Sequence, residues 1–196
     1  MTLHDPRGTW VKIDGVTRPQ DARAAADAGV SAIGLIFAPS PRRVSFDQAP
    51  QLLASIPEGV SAFGVFDDSS PREVGEYAEA LGLDGVQFPA PLVAGRFLPT
   101  GVLVLRTVRV REAEDIADLG RLACDAVHLD AYVEGKLGGT GVVAPWDVIE
   151  AGRPSVPFVL SGGLRPDGVD VSSGVESEPG IKDAVKMKAF VEAARS

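Results

Sequence analysis

Three consecutive runs decide the fold: Trp10-Val-Lys-Ile-Asp14, then Arg18-Pro19 leading into Gln20 to Ala28, then Ser31-Ala-Ile-Gly-Leu-Ile-Phe37. The first reads as a short strand. The second predicts a helix with Pro19 near its first turn, where a missing N–H costs nothing, and with Gly29 suited to its C-terminus. The third is nearly continuous in apolar character, as in a strand buried on both faces. Strand, helix and fully buried strand in close succession spell a βαβ unit and therefore a parallel sheet.

Outward from that unit the rhythm repeats. Ser45 to Ile56 predicts a helix and Ser61-Ala-Phe-Gly-Val-Phe66 a strand, while Ser70-Pro71 opens a helix to about Leu81 with Ser70 as N-cap. Asp84 to Phe88, Val102 to Leu105, Asp125 to Asp130, Pro157 to Ser161 and Gly168 to Ser172 read as strands four to eight. A helix from about Asp183 to Arg195 closes the chain. Eight strands with helical crossovers indicate an α/β fold, a (β/α)8 TIM-type barrel. An open doubly wound sheet fits less well, because its early Gly-rich dinucleotide fingerprint is missing.

The barrel is a shortened one. The 13 residues between Phe88 and Val102 include Pro89, Pro91 and Pro99, a poor helix sequence. Between Ser161 and Val169 lie only seven residues, fewer than the ~10–12 a helical crossover needs. The helices after strands four and seven are therefore expected to be lost. That loss should expose the apolar backs of the strands, a surface for a homodimer.

A chain of 196 residues favours one domain covering 1–196. With 27 acidic and 19 basic side chains, its net charge of −8 argues against nucleic acid as a partner. No apolar run approaches the ~18 residues of a membrane span, so no membrane partner is expected. Met1 to Gly8 is polar and lacks the apolar core of a signal peptide. A single cysteine, Cys124, excludes an intrachain disulfide framework. The expectation is a soluble, cytoplasmic protein.

A barrel of this kind places its active site at the C-terminal ends of the strands. Asp14 ends the first strand and Asp130 the sixth. Either alone could be a turn former, but two at one barrel face suit a general base and a general acid. Ser161-Gly162-Gly163-Leu164 follows strand seven and Ser172-Ser173-Gly174 follows strand eight, the usual place for a phosphate held by backbone N–H groups. The loop Tyr132 to Gly141, Gly-rich from Gly135 onward, reads as a lid beside Asp130. Arg42, beside Arg43 after strand two, suits bidentate capture of a carboxylate. His128 shares strand parity with Asp130 and reads as a satisfied interior residue one layer below it, and Cys124 as a small buried hydrophobe.

These motifs resemble a known family. Val11 to Asp21, the Ser-Pro-Arg-Arg-Val-Ser run at 40–45, Leu129 to Gly141, Ser161 to Leu164 and Val169 to Gly180 are similar, in the same order, to phosphoribosylanthranilate isomerases of tryptophan synthesis. The resemblance implies a (β/α)8 barrel with no metal or organic cofactor. Its substrate is a small phosphorylated molecule, N-(5-phosphoribosyl)anthranilate, and its reaction an Amadori rearrangement of that aminoaldose to the aminoketose. By that resemblance Asp14 stands where the family's base is a cysteine, and Asp130 is the general acid. Arg42 holds the anthranilate carboxylate, and Gly139, Gly162, Gly163, Asp170, Ser172, Ser173 and Gly174 bind substrate. Pro89 stands where the family has a histidine. Two alternatives stay open: an isomerase of the histidine-pathway type or one serving both substrates, and a non-catalytic paralogue that binds a phosphorylated ligand.

Overall fold

The computed structural model describes residues 3–67, 69–89, 97–117, 119–131, 146–151, 154, 156–160 and 167–196. Eight parallel strands pair in sequence order and close into a barrel. They are β1 Trp10–Asp14, β2 Ala32–Ile36, β3 Ser61–Val65, β4 Gly85–Pro89, β5 Leu103–Val110, β6 Ala126–Ala131, β7 Phe158–Leu160 and β8 Gly168–Val171. Closure is made by β8 lying alongside β1, with Lys12 opposite Asp170. The helices are α1 Pro19–Asp27, α2 Ala49–Leu53, α3 Pro71–Leu81, α4 Trp146–Ala151 and α5 Ala184–Ala194. The fold expected from the sequence is the fold found.

Local chemistry explains the element ends. Ser70 caps α3 by accepting from the Glu73 N–H, and Asp183 caps α5 by accepting from Val185 and Lys186. The expected helix over 45–56 contracts to α2, because Pro50 fixes a first-turn position and Ser45 and Gln48 bind each other in a turn before it. Strand five runs to Val110 rather than Leu105. Arg106 and Arg109 disguise its second half, although Arg106 is buried with its guanidinium 4.9 Å from the centre of the Phe88 ring.

Neither connection predicted to be short contains an α-helix among the described residues; 90–96 and 161–166 lie outside them. After β5 only two 3-10 turns follow, Ala113–Ile116 and Leu119–Arg121, so this connection too has no α-helix among the described residues. The strands beside them are not bare, however. Val86, Phe88, Phe158 and Leu160 are all buried. Leu98, Val102 and Val104 pack against the cluster that contains Val86 and Phe88, while Ile116, Leu119 and Ile149 belong to the same cluster as Phe158 and Leu160. The expectation of exposed apolar strand backs is thus corrected: these strand residues are buried, and among the described residues they cluster with side chains from 3-10 turns and from α4.

Alternation along the strands sorts the interior into layers. Trp10, Ala32, Phe63, Leu103, Leu105 and Val159 fill the bottom, with Trp10 edge-on to Phe63 at 5.7 Å. Above this apolar floor, Lys12, Gln87, His128 and Asp170 form a buried polar layer. That change of character within the barrel is what positions the site.

Candidate active site

Asp14 is the last residue of β1 and points inward, two residues above Lys12. Opposite it on β2 stands Gly34. A methyl group on Gly34 would collide with Asp14 Oδ1, so only glycine leaves room for this carboxylate. Lys12 has no exposed side chain and donates from Nζ to both oxygens of Asp14 at 2.6 Å and to Asp170 Oδ2 at 3.2 Å. His128 Nε2 lies 3.1 Å from the same Asp170 oxygen. Lys12 and His128 thus face Asp14 and Asp170 in one buried ion cluster. Among the described residues no group of three or more His, Cys, Asp or Glu could hold a metal ion; the cation between these carboxylates is the Lys12 ammonium.

The electrostatics follow from these contacts. Burial pushes the Asp14 carboxyl up; Lys12 opposes this and the neighbouring Asp170 charge adds to it, leaving Asp14 at about 6. Burial would also raise Asp170, but His128 and Lys12 outweigh it and hold Asp170 well below the usual carboxylate range. Burial would lower both Lys12 and His128, yet their carboxylate partners keep each above its ordinary value. Asp170 is therefore held as the anion of the pair, and Asp14 is the carboxyl whose proton affinity is raised.

Asp130 occupies the last turn of the β6 pleat, on the same face as His128 and two residues beyond it, and its charge is among those acting on His128. It stands three strands from Asp14 around the closed barrel. His128 is the interior residue that strand parity predicts. Gln87 and Thr107 approach its Nδ1 at 3.4 Å, on the side away from Asp170.

A second group adjoins Asp14. Gly15 has φ +70°, and a Cβ there would stand 2.6 Å from Arg42 Cδ and 3.0 Å from Ser172 Oγ. Arg42 therefore crosses directly over the residue after Asp14 and meets the loop after β8. In the structure Arg42 is not waiting alone: its Nε and Nη2 donate to Glu176 Oε1 and Oε2 at 2.6 and 2.7 Å. Ser172 is followed by the 3-10 turn Ser173–Val175, and its buried hydroxyl oxygen has no hydrogen-bond partner among the described residues.

The described candidates Asp14, Arg42, Asp170 and Ser172 thus come together, with Ser173 and Gly174 on the adjoining turn and Asp130 across the mouth. Gly139, Gly162, Gly163 and the lid over 132–141 lie outside the described residues. Sequence reasoning missed Lys12, Glu176 and Lys182. The signal for Lys12 was a lysine of the same parity as Asp14 inside an apolar strand, where an unpaired charge is costly.

The family model for N-(5'-phosphoribosyl)anthranilate (PRA) isomerase matches residues 11–193. The chain belongs to this family. A PRA isomerase of Azotobacter vinelandii is 42% identical over 200 residues, covering 94% of this chain and 97% of its own. The crystal structure of the Thermotoga maritima PRA isomerase superposes with a TM-score of 0.84 at 30% identity, covering 95% of this chain and 98% of that one. A PRA isomerase solved in complex with reduced 1-(o-carboxyphenylamino)-1-deoxyribulose 5-phosphate gives 0.80 at 29% identity, covering 95% of this chain and 98% of that one. PRA isomerases therefore share both the barrel and its length with this chain, and the fold expected from the motifs is the family's fold.

Proposed function

We propose that this chain isomerises N-(5-phosphoribosyl)anthranilate to 1-(2-carboxyphenylamino)-1-deoxyribulose 5-phosphate in tryptophan synthesis, with Asp14 as general base and Asp130 as general acid. The observation that carries the reading is the placement of Asp14, a buried carboxylate at the C-terminal end of β1, bound by Lys12 and adjoined by Arg42 and Ser172, whose burial pushes its proton affinity up. Protonated Asp130 gives its proton to the furanose ring oxygen as the bond from that oxygen to C1′ breaks, leaving a Schiff base between C1′ and the anilino nitrogen. Ionised Asp14 removes the C2′ proton, and the electron pair of that bond forms the C1′–C2′ double bond as the iminium is neutralised. The enolamine then takes a proton at C1′ and loses one from the 2′-hydroxyl, giving the ketone. Arg42 binds the anthranilate carboxylate. Backbone N–H groups around Ser172, Ser173 and Gly174, with those of Gly162 and Gly163, receive the phosphate, and Gly139 belongs to the loop over the substrate.

The test is loss of anthranilate fluorescence on adding the purified protein to freshly made substrate. The acid limb of kcat/KM should fall near pH 6, because Asp14 must be ionised in the free enzyme and is held at about 6. Activity is then present above that value and lost as pH falls through it. An acid limb near 4, the range of an ordinary aspartate, would mean that a different group is the base. Absence of turnover at every pH would return the reading to a non-catalytic paralogue.

Among the described residues no helix is long and apolar enough to cross a membrane. We infer a cytoplasmic setting for a biosynthetic step of this kind. A homodimer is supported by the Thermotoga maritima relative, whose solved monomers are described as derived from a dimeric isomerase. Light scattering should give twice the chain mass; a monomer across a wide concentration range would remove the dimer.

A further inference from the structure

Arg42 is a part-buried guanidinium whose direction is set by something other than substrate. It gives its Nε–H and one Nη2–H to Glu176, an arrangement that commits one edge of the planar fork and leaves the Nη1 edge for a second carboxylate. Among the described residues Nη1 has no partner, and it is not buried. Glu176 alone would neutralise the arginine and weaken its pull on an anion. It is not alone: Lys182, with no exposed side chain, donates to Glu176 Oε1 at 2.9 Å and to the Ser172 carbonyl at 2.9 Å. The Gly180 N–H adds a third donor to Oε1 at 3.3 Å. Two cations around one carboxylate leave that trio with a net positive charge, and its anchor is the segment that follows β8.

We propose that Glu176, held by Lys182, is a positioning residue that fixes Arg42 with one edge free for a substrate carboxylate and so sets the selectivity for carboxylate-bearing substrates. This rests on the reading of Arg42 as the carboxylate clamp. Pre-ordering matters because an arginine free to swing loses side-chain freedom on each binding event, and two parallel hydrogen bonds demand a fixed plane. The frame acts through Arg42 and touches no reacting atom, so its removal should raise KM and leave kcat nearly constant.

The experiment compares N-(5-phosphoribosyl)anthranilate with its descarboxy analogue, the phosphoribosyl derivative of aniline. For Glu176→Gln, kcat/KM should fall about 10-fold on the carboxylate substrate, by KM, and much less on the analogue. Equal losses on both substrates, or no loss on either, would overturn the proposal. Glu176→Gln leaves the Lys182 ammonium buried without its anion, so Glu176→Gln/Lys182→Met carries the same comparison if the single variant fails to fold. Arg42→Met separates the two levels. If it leaves the preference for the carboxylate substrate intact, the reading of Arg42 itself falls; if it abolishes the preference while both Glu176 variants keep it, only the positioning role falls.

Discussion

Asp14→Asn is expected to lower kcat on N-(5-phosphoribosyl)anthranilate by about 10³-fold, within the range of ~10²–10⁴ that a positioned general base supplies. The substitution is nearly isosteric and fits over Gly34 but turns one of the two acceptors of Lys12 into a donor, so melting measured alongside turnover separates a loss of folding from a loss of chemistry. Asp130→Asn should cost a similar factor, since an amide cannot protonate the ring oxygen. In the proposed mechanism the two residues serve successive steps of one reaction, so the double variant should fall well short of the product of the single losses. Single-turnover measurements would locate the loss in the chemical step. Full turnover in both single variants would remove the acid–base assignment.

Lys12→Met has the largest expected effect on the fold. In the native protein the ammonium binds Asp14 and Asp170 at once, within the barrel and away from water. Without it two carboxylates face each other with the cation that binds both of them gone, and the cost of breaking such a buried set is about 3–5 kcal/mol. For a chain of this size that corresponds to a fall in Tm of roughly 10 °C. The pH dependence distinguishes charge from lost packing. Removing the cation raises the folded-state affinity of Asp14 for a proton still further above its unfolded value. The proton then stabilises the folded variant at low pH, and this contribution is lost as pH rises. The variant should lie closest to the native Tm near pH 5 and furthest from it near pH 8. Lys12→Met/Asp170→Asn should recover part of the loss at pH 8; no recovery would mean that methionine's shape is at fault.

Much of the barrel was legible because strands buried on both faces show up as plain apolar runs, and β1 to β4 lie within a residue or two of their expected ends. The second half of β5 was not, because Arg106 covers an aromatic ring and Arg109 pairs in register with Asp130, neither of which a sequence displays. Asp14 and Asp130 were legible as charges ending apolar strands. Their surroundings were not: the contact between Lys12 and Asp170 spans 158 positions and exists only because β8 closes against β1. Arg42 was legible as an arginine at the right loop, whereas its commitment to Glu176 required two loops from opposite ends of the chain to meet.

Gly34 has a meaning beyond its own packing. Because its missing side chain is the space Asp14 occupies, positions 14 and 34 are not independent letters of the sequence. An aspartate at 14 in this position is compatible with glycine opposite, whereas alanine there would force the carboxylate to move off Lys12. In this barrel the placement of the Asp14 carboxylate is thus permitted from the adjacent strand, by a residue that brings no side chain of its own.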